Sequence, residues 1–219
     1  MATTHPGAGT LNTPQEALHS LLREIVPPDA RSRLPRQGEW SDEQYLALTD
    51  RCKRLIEFTD GHVQELPMPT FTHQAVLLAL YHLFHEYLTP RGGVAIVAAL
   101  RLRIREGKFR EPDILLLRDR SDPRCQDRYW LGADLVVEVV SADHPGRDRV
   151  EKRADYAEAG IPEYWIVDPA EETITVLALE EDAYVEHGVY RRSDSAASRL
   201  LDGFAADVTR VLDAPKPDA

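Results

Sequence analysis

Two short apolar runs decide the fold, EPDILLL at residues 111–117 and DLVVEVVS at residues 134–141. Both are almost wholly apolar over the length of a strand, which is typical of strands covered on both faces and predicts the centre of a sheet. Each run also contains an acid, Asp113 in the first and Glu138 in the second. Burying a carboxylate among leucines and valines costs free energy unless it is protonated, paired or bound to a cation.

The acids of these two runs favour a metal site. A simpler interpretation of Glu138 is a salt bridge to a nearby arginine. Two carboxylates that converge from adjacent strands favour a cation instead, because such oxygens are the hard ligands that Mg²⁺ or Mn²⁺ prefers, with waters completing the octahedron. We therefore predict a Mg²⁺ (or Mn²⁺) site with Asp113 and Glu138 as its ligands.

Sequence periodicity places helices and further strands around these two runs. Apolar residues recur at helical spacing over residues 70–88 and predict the longest helix. An Asp-Gly pair at residues 60–61 lies between two short β-rich runs and predicts a hairpin. The other predicted elements are a capped helix at 41–49, a strand at 94–104, a helix at 147–159, and strands at 163–167, 173–179 and 184–190. The predicted fold class is α/β (α+β), a mixed central β-sheet flanked by helices with additional strands.

The length and composition of the chain limit the architecture. A chain of 219 residues is long enough for one well-buried domain with peripheral additions. We predict a partly helical N-terminal extension at 1–39, a main domain at 40–195 and a partly mobile C-terminal segment at 196–219. Apolar runs end well before the roughly 18 residues of a membrane span, and the N-terminus lacks a signal-peptide pattern, so a cytoplasmic protein is expected.

The net charge of −11 argues against a nucleic-acid partner, because phosphate binding normally leaves a basic footprint. However, residues 91–130 contain ten Lys and Arg against six Asp and Glu, a local charge of +4 that leaves −15 on the remainder. Within this segment Arg101, Arg103 and Arg105 alternate with aliphatic residues and would lie on one face of a strand. They are candidate phosphate contacts, although arginines on an edge strand also protect against aggregation.

Three further blocks of sequence complete a pattern: IEFTDGHVQE at 56–65, MPTFTH at 68–73 and KRADYAEAGIPEYWIVDP at 152–169. With the two acidic runs, in this order and spacing, they resemble the Uma2-type restriction endonucleases over about residues 40–190. The resemblance implies a restriction-endonuclease-like PD-(D/E)XK core, in which an Asp from one strand and a Glu from the next bind Mg²⁺. It also implies an endonuclease that hydrolyses phosphodiester bonds in nucleic acid, with DNA as the expected substrate.

The chain departs from the superfamily pattern at one position. The pattern has a lysine two residues after the glutamate, where this chain has Val140. The resemblance implies that the lysine is displaced onto the following helix, where Lys152 is the candidate, and a lysine's long stem can reach the sheet end from an early helical turn. Without the resemblance, Lys152 is interpreted as an exposed helix lysine.

Two more catalytic candidates, Glu57 and His73, depend on the same resemblance. By position alone, Glu57 is a solvent-facing residue of a hairpin strand. His73 lies in the first turn of the long helix, where it either bonds the backbone locally or serves the site as a proton shuttle or phosphate contact.

Two other functions stay open at this point. A catalytically silent nuclease-fold protein that binds nucleic acid or a protein partner is favoured by Val140 and by the acidic net charge. A metal-dependent enzyme acting on a small phosphorylated substrate would use the same carboxylates without a basic groove, and salt-dependent DNA binding would distinguish these two functions. We expect a homodimer, because soluble proteins commonly form one and cutting both strands often needs two sites.

Overall fold

The computed structural model describes residues 34–52, 54–141 and 146–214, together with Leu22. The chain divides into two compact units, Met1–Leu66 and Pro67–Ala219. Most of the predicted N-terminal extension lies outside the described residues, and the predicted three-part division of the chain stays a prediction.

The first unit contains the predicted capped helix and hairpin. Its elements are α1 (Asp42–Thr49), β1 (Ile56–Thr59) and β2 (His62–Glu65), and the two strands pair antiparallel. Ser41 and Gln44 form a reciprocal capping box at the start of α1. The hairpin turn has positive φ at both Asp60 (45°) and Gly61 (80°), as an Asp-Gly turn permits. A Cβ at Gly61 would lie 2.4 Å from the carbonyl oxygen of Gly38, so only glycine fits. The predicted helix and hairpin are confirmed.

The second unit is built around a six-stranded mixed sheet. Its elements are α2 (Phe71–Leu88), β3 (Val94–Val97), β4 (Leu102–Arg105), β5 (Lys108–Arg110), β6 (Ile114–Leu117), β7 (Leu135–Val139), α3 (Lys152–Glu158), β8 (Glu163–Asp168), β9 (Thr173–Glu180), β10 (Ala183–Arg191), β11 (Ser195–Ala197), β12 (Ala205–Asp207) and α4 (Val208–Leu212). The strand order is β10-β9-β8-β7-β6-β3, with β7 and β8 parallel and the other neighbours antiparallel. A π-helical turn at Arg147–Glu151 runs directly into α3.

The two acidic runs lie at the centre of this sheet, as predicted. Every residue of β6 and β7 is buried. Ile114 and Val137 belong to a cluster that includes the apolar side of α2, whereas Leu115 and Val136 belong to the cluster of Tyr156 on the other face. The sheet is therefore covered on both faces, which explains why its central strands show no alternation of polar and apolar residues.

The predicted single strand at 94–104 is wrong, because the chain forms two strands there. β3 pairs with β6 in the large sheet, whereas β4 pairs with β5 in a separate hairpin. The ladder with β6 ends at Val97, and the next amide, that of Ala98, donates to the carbonyl of Asp113 at 3.0 Å. Alternating sequence is compatible with either sheet, so periodicity does not reveal where the chain passes from one to the other.

Residues 195–214 complete the core of the second unit. Phe204 stacks on Phe84 of α2 with ring centroids 4.6 Å apart, and Val208 and Val211 are buried in the same cluster. Most of the tail predicted to be mobile beyond Leu212 lies outside the described residues. None of the helices in the described parts is long and apolar enough to cross a membrane.

Candidate metal and catalytic site

Asp113 and Glu138 lie at the same end of the two central strands. The ladder between the two strands ends at the pair Ile114–Val137, so Asp113 immediately precedes its last pair and Glu138 immediately follows it. The carboxylate of Asp113 accepts a hydrogen bond from the amide of Val139, and its charge adds to the raised pKa of Glu138, so the two acids are neighbours. Antiparallel pairing thus brings together two acids that are 25 positions apart in the sequence.

Glu138 is held on both carboxylate oxygens. Its Oε2 lies 2.7 Å from Nζ of Lys152, and its Oε1 accepts a short hydrogen bond from the hydroxyl of Tyr156. Burial raises the pKa of Glu138 to about 8; the charge of Lys152 opposes this shift, and the charges of Asp113 and Asp148 add to it. The buried glutamate is paired, as the simpler interpretation required, but its partner is a lysine and not an arginine.

Lys152 is buried, with 5% of its surface exposed, although it is the first residue of α3. The interpretation as an exposed helix lysine is therefore wrong. Besides Glu138, its ammonium faces Asp148 at 3.3 Å. The displaced lysine thus lies beside the carboxylate that it would accompany in the superfamily pattern.

Asp113 is bound by His73, from the first turn of α2. Its Oδ2 accepts a hydrogen bond from the amide of Val139 at 2.7 Å and lies 3.1 Å from Nε2 of His73. Thr70 is the N-cap residue of α2, and its hydroxyl accepts a hydrogen bond from the His73 amide. Burial alone would lower the pKa of His73, but the hydrogen bond and charge of Asp113 outweigh it, so the pKa is raised. The histidine is therefore directed at Asp113 and not only at local backbone.

Asp148 is a third acid at this place, which the sequence analysis did not identify. It is 6% exposed and lies in the π-helical turn before α3, and its carbonyl accepts the hydroxyl of Tyr164 at 2.8 Å. Burial raises its pKa, Lys152 opposes the shift, and Asp113 adds to it. The signal that could have found it is its spacing of four residues from Lys152 in a segment predicted to be helical.

The charges of this cluster do not cancel. The ammonium of Lys152 lies beside the carboxylates of Glu138 and Asp148, and the imidazole of His73 lies beside that of Asp113, so three acids share two cationic partners and a formal charge of −1 remains when all are ionised. Burial is the main cause of the raised pKa values of Glu138 and Asp148, and the neighbouring carboxylates add to both shifts. A bound cation would neutralise the remaining negative charge.

The donor set fits a hard divalent cation. In the described parts of the chain no group of three or more His, Cys, Asp or Glu side chains is arranged to hold a metal. The predicted ligands are two carboxylates, and Mg²⁺ commonly binds one or two carboxylates while keeping several waters. Asp113 and Glu138 have the oxygen chemistry for that arrangement, and their roles stay predictions.

The remaining predicted residues are Glu57 and three arginines. Glu57 is in β1 of the first unit and is buried, so the interpretation as a solvent-facing strand residue is wrong. Arg101 precedes β4, and Arg103 and Arg105 lie within it. Nε of Arg105 binds Glu158 of α3 at 2.7 Å. The site role of Glu57 and the phosphate contacts of the arginines stay predictions.

Comparison with known proteins identifies the family. Residues 42–209 match the family model Uma2, described as “Putative restriction endonuclease”. A solved structure described as a “putative nuclease belonging to DUF820”, from Anabaena variabilis ATCC 29413, superposes with a TM-score of 0.60 at 16% identity, covering 77% of this chain and 97% of that one. This likeness supports the predicted restriction-endonuclease-like fold. No protein of curated function matches the chain at a significant level. Since the family model matches well over half of the residues, the chain belongs to the Uma2 family of restriction-endonuclease-like proteins.

Proposed function

We propose that this protein is a Mg²⁺- or Mn²⁺-dependent endonuclease that hydrolyses phosphodiester bonds in nucleic acid, with DNA as its substrate. The observation that carries the proposal is the group of carboxylates at the end of β6 and β7, where the buried acids Glu138 and Asp148 share the ammonium of Lys152 and the charge of Asp113 acts on both. Membership of the Uma2 family supports the same reaction class.

Each residue of the site would have a distinct role in the reaction. Asp113 and Glu138 would hold the cation, which when bound polarises a phosphoryl oxygen and lowers the pKa of a bound water. Lys152, beside Glu138, would orient the attacking water or neutralise charge that develops on the phosphate in the transition state. Tyr156 fixes the other oxygen of Glu138 and so limits the directions in which that carboxylate can turn.

His73 would act through Asp113. Its raised pKa favours an imidazolium, which can donate to Oδ2 of Asp113 at 3.1 Å. With that oxygen also bound to the amide of Val139, the carboxylate has a fixed orientation. We assign His73 as a positioning residue, with the proton-shuttle role as the alternative.

The substrate would be gripped by arginines of the β4 region. Arg101, Arg103 and Arg105 are all half-buried and would contact the phosphate backbone. A homodimer would supply the second site that a double-strand cut requires.

A cleavage assay tests the proposed function. Supercoiled plasmid and single- and double-stranded DNA and RNA are incubated with the wild-type protein and with Asp113→Asn, in the presence of Mg²⁺, Mn²⁺ or EDTA. We expect the wild type to cut DNA with Mg²⁺ or Mn²⁺, and neither Asp113→Asn nor the EDTA samples to cut. Salt-dependent DNA binding by a folded protein that cuts nothing would instead show a silent binding protein. Hydrolysis of small phosphate esters alone would show the third function.

A further inference from the structure

Lys152 lies on a helix, and its ammonium needs a second partner to stay at the end of the sheet. In the superfamily pattern the lysine shares a strand with the glutamate, so the strand itself fixes the distance between them. Here the ammonium reaches Glu138 on a flexible four-carbon stem that has several rotatable bonds. A single ion pair with a residue that also binds a cation would not hold such a stem.

Glu138 alone is an unreliable partner for Lys152. One of its oxygens is bound to Tyr156 and the other to Lys152. A divalent cation on Glu138 would repel the ammonium and compete for the same oxygen. On the proposed function, therefore, Lys152 would be driven away from the site at the moment when its charge is required.

Asp148 has the position to prevent this loss. It lies four residues before Lys152 on the same helical run, and its Oδ1 is 3.3 Å from Nζ. The hydroxyl of Tyr164, a buried residue of β8, donates to the Asp148 carbonyl at 2.8 Å and fixes the backbone from which the carboxylate projects. Lys152 therefore has a second, anchored carboxylate within reach.

We propose that Asp148 is the positioning residue for Lys152, keeping its ammonium at the end of the sheet when the charge of Glu138 is taken by a cation. This inference rests on the proposed function for its catalytic consequence, but the placement of the lysine by Asp148 can be tested without metal or substrate.

The metal-free test follows the ammonium itself. The chain has only four lysines, Lys53, Lys108, Lys152 and Lys216, so ¹⁵N-lysine labelling gives few Nζ signals, and loss of one in Lys152→Met assigns it. A buried, ion-paired ammonium exchanges slowly with water and is observable. Glu138→Gln removes the charge of Glu138 as a bound cation would neutralise it. We expect the Lys152 signal in the wild type and in Glu138→Gln, and its loss in Glu138→Gln/Asp148→Asn.

Asp155→Asn is the matched control. Asp155 is also a buried acid of the same helix, but it binds Lys108 and Arg110. Its substitution should alter the Lys108 signal and leave that of Lys152 in place. Asp148→Glu, which restores a carboxylate, should retain the Lys152 signal in the Glu138→Gln background. If Asp148→Asn does not fold, Asp148→Ser replaces it in the same comparison.

The cleavage arm tests the catalytic consequence. Asp148→Asn should lower kcat on the order of 10²-fold, as loss of the lysine would, with KM little changed. Adding Asp148→Asn to Lys152→Met should cause no further loss, because Asp148 acts only by placing the ammonium that Lys152→Met has already removed. Multiplied losses, or disappearance of the Lys152 signal in Glu138→Gln alone, would overturn the proposal. If the wild type cuts nothing, the proposed function fails, and the ammonium signals still decide whether Asp148 places Lys152.

Discussion

The helical run from Arg147 to Glu158 carries two clusters of buried charge with opposite imbalance. Near its C-terminal end, Asp155 is bound by Lys108 at 2.8 Å and by Arg110 at 2.7 Å. Near its N-terminal end, one cation lies between two acids, because the ammonium of Lys152 is shared between Glu138 and Asp148. The buried acid of the first cluster thus has two cationic partners, of which Lys108 also binds the exposed Glu158, whereas the two buried acids of the second share one ammonium.

The difference shows which buried acid marks a site. Asp155 has enough cationic partners within the chain, so the fold explains it: it ties α3 to the β5 hairpin strand. The acids around Lys152 lack sufficient positive charge, and burial raises the pKa values of Glu138 and Asp148. Burial of a carboxylate therefore does not indicate a metal site by itself. Negative charge that the cations of the chain do not balance indicates one, because a bound metal ion would neutralise it.

The largest expected effect comes from removing charge from the acid-rich cluster. Glu138→Gln should abolish Mg²⁺ binding and cleavage while leaving the fold intact or slightly more stable, since it relieves repulsion among buried acids. Isothermal calorimetry and thermal unfolding measure the two effects. Unchanged Mg²⁺ affinity in the folded variant would reduce Glu138 to a structural partner of Lys152.

The cation-rich cluster should give the opposite result. Asp155→Asn leaves Lys108 and Arg110 without their buried acid and should lower the free energy of unfolding by about 3–5 kcal/mol, with Mg²⁺ affinity nearly unchanged. Urea unfolding measures it. The matched control is Glu172→Gln, which breaks an exposed pair with Arg192 and should leave the free energy of unfolding nearly unchanged. A large loss of Mg²⁺ affinity in folded Asp155→Asn would mean that the two clusters are not separate.

Removing the shared ammonium tests catalysis without removing a ligand. At saturating Mg²⁺, Lys152→Met should lower the cleavage rate on the order of 10²-fold, because a charge that acts in the transition state is lost. Metal binding should persist. Glu151→Ala, an exposed neighbour on the same helical run, should be nearly silent in the same assay. Equal rates for wild type and Lys152→Met would make the lysine a structural counter-ion only.

The smallest expected effect is on the dependence of stability on pH. The pKa of Glu138 is about 8 in the folded protein, against 4.5 for an ordinary glutamate. Its contribution to the free energy of unfolding is therefore fully present below pH 4.5 and is lost as the pH rises through about 8. The raised pKa of His73 acts in the same direction. Without divalent ions, Tm should therefore fall as the pH rises from about 4.5 to about 8. Glu138→Gln or saturating Mg²⁺ should reduce the fall, and a Tm that rises over this range in the wild type would contradict the assigned shifts.

Local sequence was sufficient for most of the secondary structure. Helix α2 and the β1–β2 hairpin follow from spacing and from a turn that needs glycine, which are properties of neighbouring residues. The runs that form β6 and β7 are apolar enough to require a buried position, and their acids could be identified from that alone. Lys152 was identified by resemblance and not by any property of its own neighbourhood.

What surrounds those acids depends on tertiary packing. Antiparallel pairing of β6 and β7 brings Asp113 to the end of β7, where it accepts the amide of Val139, and helix packing brings Asp148 and Tyr156 to the same place. The same packing binds Arg105 to Glu158. These contacts join residues from different elements, and no local pattern encodes their distances. The amino-acid pattern alone specifies which strands must be buried and which of their residues carry unfavourable charge. The tertiary structure determined how far that charge is compensated, because compensation depends on groups that meet only when the sheet and its helices have packed.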